Sequence, residues 1–361
     1  MAVATPLTQR RTVLVTGGAS FLGRHLVPRL SDDGHSVRIL DQAPRPSWVD
    51  TATVDYVPAD VCDPAAVAQA MTGVDTVVHA AFASPAATPA VLHRVNVEGT
   101  RTVLSNAVRA GVRVVVVSST IVERNLRRHP CLEGAPLSRL AAYRETRAAA
   151  EALADDGAAA GASVAVVRPK TFLGPGALGG FALLFELVRR GRGAVVLGDG
   201  SNRYQLLDVR DLASALSLLA TSHAGGVFHL GCTEYGTVDE DLSGLLRHAG
   251  CGGTVHHVPG GVARVALRTL ELASLSPAAE WHQLSACGRD SIVSIRRAAT
   301  ELGWQPERGN LDILRDSYDW YVERVRTGAE LSTPHPIPAS HRHLWRVVDV
   351  LLQRTAGPAR R

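Results

Sequence analysis

The sequence predicts an α/β fold: a doubly wound parallel sheet followed by a smaller, mostly helical C-terminal domain. Three observations carry that prediction. Short β-branched runs alternate with helical periodicity through the first half of the 361-residue chain, the pattern of a parallel sheet covered on both faces. The first run, Thr12–Val15, meets Thr16-Gly17-Gly18 and then a stretch in which Leu22, Leu26 and Leu30 recur at helical spacing. A second run, Val37–Leu40, ends at Asp41, roughly 20 residues past the glycine turn.

The first strand, turn and helix aim unpaired helix N-terminal N–H groups at an anion. Glycines there let a pyrophosphate approach the backbone where a Cβ would collide. Gly34 supplies the helix stop signal. An acid at Asp41 can accept hydrogen bonds from an adenosine ribose diol, and its charge repels a 2′-phosphate, which favours NAD over NADP. The plainer reading of Asp41 is a strand-end aspartate that opens a turn.

Length and composition bound the rest. The chain suits about two domains with an ample core. The five cysteines, at 62, 131, 232, 251 and 287, form no CxxC pair, so they read as reduced residues of a cytoplasmic protein with no metal site. No apolar run is long enough to cross a bilayer, and the polar start lacks a signal-peptide core. A net charge of +4 permits an anionic small molecule and does not argue for nucleic acid. Of the 38 basic residues, Lys170 is the only lysine.

Further strand-like runs follow at Val54–Val57, Thr76–His79, Val112–Val117, Val164–Val167 and Val227–Leu230. Each ends in small or polar residues, where ligands collect in such sheets. Asp60 or Asp63 is suited to cap the helix that CDPAA opens. His79 reads as a packed strand-end histidine. The hydroxyls of Ser118, Ser119 and Thr120 close the fifth sheet strand.

TGGASFLG, at 16–23, resembles the TGxxGxxG fingerprint of the extended short-chain dehydrogenase/reductases, the NAD-dependent epimerase/dehydratase family, with its Rossmann-type sheet. Gly17 and Gly23 match, and Ser20 stands where the middle glycine is expected. The resemblance places the cofactor on Gly17, Ser20, Phe21, Leu22 and Gly23. It makes Asp60 and Val61 an adenine clamp, and Ala80, Ala81 and Phe82 a small-residue turn under the dinucleotide, with Phe82 toward the substrate. Asn96 matches the asparagine of NVxGT, which braces the cofactor-side loops. Thr120 falls on the family's catalytic hydroxyl, with Ser119 one slip away. Ile121 and Val122 stand where the family's dehydratases carry an Asp-Glu pair, which disfavours dehydration.

Tyr143 matches the proton-transferring tyrosine of YxxxK, and Arg147 stands at the position of its lysine, which holds the nicotinamide ribose. Positions i and i+4 share one helical face, but a guanidinium is not shaped like an ammonium. Glu151 continues the motif's acidic position. Lys170 and Thr171, in RPKTFLGPG, fall beside the nicotinamide and substrate in this resemblance. Lys170 either contributes charge at the reacting carbon or is a strand-end lysine with its ammonium in solvent. In GDGSNRYQLLDVRDLASAL, at 198–216, Arg203 resembles the arginine that grips a substrate diphosphate, with Tyr204 one residue away, and Asp211 is expected to cap the next helix.

The resemblance divides the chain into an NAD-binding domain at 11–170, to which 205–232 return, and a substrate domain at 171–204 and 233–330. Residues 331–361 form a tail, and the apolar helix 262–275 belongs to the substrate lid. It implies a homodimer through helices near 91–110 and 143–160. The leading expectation is an NAD-dependent nucleotide-sugar epimerase or ketoreductase working through a keto-sugar. Its alternatives are an oxidoreductase on a non-nucleotide ketone or alcohol, of hydroxysteroid or flavonoid type, and a decayed dinucleotide-binding regulator.

Overall fold

A computed structural model describes residues 10–123, 139–176, 178, 181–259 and 290–329. The strands are β1 (Thr12–Thr16), β2 (Ser36–Asp41), β3 (Val54–Pro58), β4 (Thr76–His79), β5 (Arg113–Val117), β6 (Val164–Pro169), β7 (Phe172–Leu173), β8 (Ala194–Leu197), β9 (Leu207–Asp208), β10 (Gly226–Leu230) and β11 (Val255–Val258). Seven of them form one parallel sheet in the order β10-β6-β5-β4-β1-β2-β3. The order reverses direction between β1 and β4, which opens a crevice at the carboxyl ends of those strands.

The helices are α1 (Phe21–Asp32), α2 (Pro64–Ala70), α3 (Pro89–His93), α4 (Thr100–Ala110), α5 (Arg139–Ala159), α6 (Phe181–Arg189), α7 (Val209–Thr221), α8 (Val238–Ala249), α9 (Arg296–Leu302) and α10 (Asn310–Thr327). A π-helical turn, Arg94–Gly99, joins α3 to α4. Strand alternation sends Val13 and Val15 into one core with Leu26, Leu30, Leu212 and Leu216. Leu14 points into the other, with Val77, Val103 and Ala107. Fully burying each such side chain contributes about 1.5–3 kcal/mol, so both sheet faces are bound to their helices.

Among the described residues the chain divides into two compact units, the first within 10–172, 207–231 and 293–307, and the second within 173–206, 232–292 and 308–329. The segment 293–307 departs from the expected assignment to the substrate domain. Trp304 is 2% exposed within the first core, and its indole N–H donates to the Asp211 carbonyl and the Ser214 hydroxyl. Arg297 stacks over Phe228 at 4.4 Å and donates to the carbonyls of Val227 and Gly225. An aromatic anchor on α7 and a half-exposed cation on β10 thus draw α9 onto the first unit. The second unit packs α6, α8 and α10 around Phe185, Leu245 and Ile313, beside the parallel pair β8 and β11.

The cap of α7 also differs from expectation. Asp208 is the N-cap, its carboxylate accepting the Arg210 N–H, while Asp211 sits buried inside the first turn. The expected helix 262–275, Cys131, Cys287 and the tail 331–361 lie outside the described residues. None of the described helices is long and apolar enough to cross a membrane.

Candidate active site

The crevice begins at the turn after β1. Gly17 has φ +71°, and a Cβ there would come within 2.8 Å of the Ala80 carbonyl oxygen and the Ala81 backbone. At Gly23 a Cβ would overlap the Gly18 carbonyl. Both glycines are therefore required by close backbone approach, and Ala80 and Ala81 form the opposite wall. Ser20 is the N-cap of α1, its hydroxyl oxygen accepting the Gly23 N–H at 3.4 Å. Accepting leaves the hydroxyl proton to be donated. Phe21 and Leu22 occupy the first helical turn, where N–H groups have no intrahelical acceptor. Phe21 stacks on Phe172 at 6.0 Å.

Asp41 closes the turn from the side. One carboxylate oxygen accepts the Ala19 N–H at 3.0 Å and the other accepts the Ala43 N–H at 2.9 Å. The same aspartate therefore opens a turn, as the plainer reading has it, and stands against the glycine loop. Asp63 caps α2, which leaves Asp60 for another task. Asp60 accepts from the Cys62 N–H and from Arg94. Burial raises its carboxyl pKa, but those donors outweigh burial and hold it below the usual carboxylate range. Val61 is 6% exposed and packs under Gly99, where a Cβ would reach 2.8 Å from its side chain.

His79 is a buried structural residue, as expected. It bonds the hydroxyls of Thr16 and Thr100 at 2.8 and 2.9 Å. Burial, with the nearby Arg147 charge, pushes its pKa down to about 3. Asn96 accepts the Ala83 N–H at 2.8 Å and donates to Thr146 at 3.0 Å. Thr146 in turn donates to the Tyr143 carbonyl at 2.9 Å. This chain of bonds fixes the start of the tyrosine's helical turn to the loop after β4, so Asn96 braces the helix as well as the loop. Nothing in the sequence singled out Thr146.

Tyr143 is half-buried on α5, with the Arg147 guanidinium carbon 5.8 Å from its ring centre. Arg147 is 4% exposed and donates through Nη2 to the Val117 carbonyl at 2.6 Å. Burial disfavours its charged form, opposed by Tyr143 and Glu151. Its Nε and Nη1 are buried with no partner. Phe82 covers its face, ring centre to guanidinium carbon 3.5 Å. The Phe82 ring thus lies on the cation, a contact its sequence position did not announce. Glu151 accepts from Arg168 at 2.6–3.1 Å and ties α5 to β6.

Ser118, Ser119 and Thr120 lie at the carboxyl end of β5, and Lys170 and Thr171 at that of its neighbour β6. Ser119 accepts the Ile121 N–H at 3.3 Å, while Thr120 opens a 3-10 turn. The Ser118 hydroxyl is buried with no partner. Lys170 is 4% exposed, so its ammonium is not in solvent. Thr171 accepts the Leu207 N–H through its carbonyl. Arg203, in the second unit, gives its fork to Asp290 at 2.5 and 2.9 Å, and Asp290 also accepts the Arg203 backbone N–H. Arg203, expected to grip a diphosphate, is thus paired with a carboxylate at an exposed position, the two side chains 50% and 39% exposed. Tyr204 beside it is buried.

The close-approach glycines, the capped helix N-terminus, Asp41 and the unpartnered buried donors of Arg147 fit a dinucleotide with a ribose beside Tyr143. Among the described residues no group of three His, Cys, Asp or Glu side chains could hold a metal ion. Fold and turn together define a dinucleotide-binding enzyme of the α/β class. The chain belongs to the NAD-dependent epimerase/dehydratase family, whose model matches residues 13–231. It is 30% identical to an uncharacterized protein of Sinorhizobium fredii over 92% of this chain and 85% of that one. It is 29% identical to a 3 beta-hydroxysteroid dehydrogenase/Delta 5→4-isomerase of Mycobacterium tuberculosis, over 89% and 93% of the two chains. MoeE5, solved with UDP-glucuronic acid and NAD, superposes with a TM-score of 0.65 and 26% identity over 86% of this chain and 99% of that one.

Proposed function

We propose that this protein is an NAD-dependent oxidoreductase that interconverts a secondary alcohol and a ketone on a substrate without a diphosphate. The observation that carries this reading is the Arg203–Asp290 pair. Arg203 is the candidate grip for a substrate diphosphate, and here one carboxylate oxygen of Asp290 accepts from both its Nε and its Nη2. An incoming diphosphate would have to displace Asp290 and then lie beside its charge. The hydroxysteroid dehydrogenase relative, matched over 93% of its length, supports an uncharged ketone or alcohol. Nucleotide-sugar epimerisation is the second reading, favoured by the likeness to MoeE5.

Bound in the crevice, NAD supplies a hydride acceptor in one direction and a donor in the other. Tyr143 takes the proton from the alcohol oxygen as its carbon loses hydride, and returns that proton to the ketone oxygen in reverse. Thr120, with Ser119 beside it, holds the substrate oxygen by hydrogen bonding. Arg147 presents Nε and Nη1 to the nicotinamide ribose. Lys170, buried at the end of β6, adds positive charge near the reacting carbon. The test is a substrate panel followed by nicotinamide absorbance. Hydroxysteroids or long-chain secondary alcohols are expected to give net NADH. Epimerisation of UDP-glucose or UDP-glucuronic acid with no net NADH would overturn the proposal.

Asp41 carries the preference for NAD. Its carboxylate is fixed by two backbone N–H groups, so it cannot swing away from a 2′-phosphate without losing both bonds. Asp41→Ser is expected to narrow the NAD/NADP ratio of dissociation constants by about tenfold or more, since charged hydrogen bonds contribute about 1.5–3 kcal/mol. An unchanged ratio would remove Asp41 from cofactor selection.

A further inference from the structure

We propose that Phe82 is a positioning residue that locks the plane of the Arg147 guanidinium, so that Nε and Nη1 stay available to the cofactor. The proposal rests on the cofactor role given to Arg147 above. A guanidinium is flat, with its five N–H donors in a rigid fork. One in-plane bond, Nη2 to the Val117 carbonyl at 2.6 Å, holds one corner and leaves rotation about that bond. A ring on the face blocks the rotation, and Phe82 lies there with its centre 3.5 Å from the guanidinium carbon. Arg147 is 4% exposed, so the cation and the ring meet with water excluded, where cation–π attraction is strongest.

The ring is itself held. Phe82 lies 4.9 Å from the His79 ring, tilted by 45°, and the chain beside it is pinned, the Ala83 N–H donating to Asn96. His79 in turn is fixed by Thr16 and Thr100. The two restraints on the guanidinium leave Nε and Nη1 buried with no acceptor in the protein. Buried N–H groups left unpaired are costly, so an acceptor supplied by a ligand is strongly favoured there. An ammonium at the same position would have three rotatable donors and no plane to fix. The need for the ring therefore follows from having arginine at 147.

The experiment is a double-mutant cycle between Phe82→Leu and Arg147→Lys. NAD dissociation constants are measured by calorimetry, and melting without cofactor confirms that each variant is folded. Phe82→Leu is expected to weaken NAD binding about tenfold beside Arg147 and by less than about twofold beside lysine. Phe82→Tyr, which keeps the ring face, is expected to stay within about twofold of wild type. An equal loss from Phe82→Leu in both backgrounds, or none in either, would overturn the positioning role. The role of Arg147 itself fails separately: Arg147→Gln with wild-type NAD affinity would remove it, whatever Phe82 does.

Discussion

Tyr143→Phe is expected to lower kcat on the true substrate by about 10²–10⁴-fold, the usual contribution of a general acid–base group, while the NAD dissociation constant and the melting temperature stay at wild type. The phenol ring is half-buried beside Arg147, and phenylalanine keeps that ring. The helix is anchored through the tyrosine's carbonyl, which accepts from Thr146, so the substitution leaves the backbone brace intact. Only the phenolic oxygen is lost. Stopped-flow or steady-state turnover, paired with calorimetric NAD binding, checks the result. Wild-type turnover would make Tyr143 a packing residue and remove the proposed proton transfer.

Gly23→Ala is expected to abolish measurable NAD binding and to lower stability. Two effects compete. Alanine inside a helix is favoured over glycine by about 1 kcal/mol. Against that, the new methyl would overlap the Gly18 carbonyl, and neither backbone segment can step aside as a flexible side chain could. Overpacking of this kind costs typically about 1–3 kcal/mol, so the clash wins and the turn must open. Opening moves the donors of the first helical turn away from the pyrophosphate position. Gly157→Ala is the control: it lies inside α5, where the added methyl meets Leu104 at an ordinary 3.6 Å. That variant is expected to bind NAD normally. Normal binding by Gly23→Ala as well would mean that the turn tolerates a Cβ, and that close approach is not why glycine stands there.

The Rossmann-type sheet was legible because its signals are local. Apolar β-branched runs mark strands buried on two faces, and all seven strands of the main sheet coincide with such runs to within about two residues. The glycine turn, Asp41, Asn96 and the Tyr143–Arg147 spacing were legible for the same reason, since each is a short pattern within one element or one turn. Other features depend on partners far along the chain. Trp304 draws residues 293–307 onto the first core, although the segment follows the expected lid in sequence. Asp208 displaces Asp211 as cap because the helix starts earlier than the motif suggested.

The sequence by itself determined the sheet, the glycine turn after its first strand and the pairing of Tyr143 with Arg147 on one helix, because periodicity and spacing act over a few residues. Tertiary structure alone decided what the charged residues do. Arg203 looked like an open fork until Asp290, 87 residues away, filled it. Lys170 read as a candidate for solvent until burial at the end of β6 excluded that. Arg147 read as a poor copy of a lysine until Phe82, from another element, covered its face. Charge and hydrogen-bonding capacity are written in each residue, but whether they are spent on protein or left for a ligand depends on which distant groups folding brings within about 4 Å.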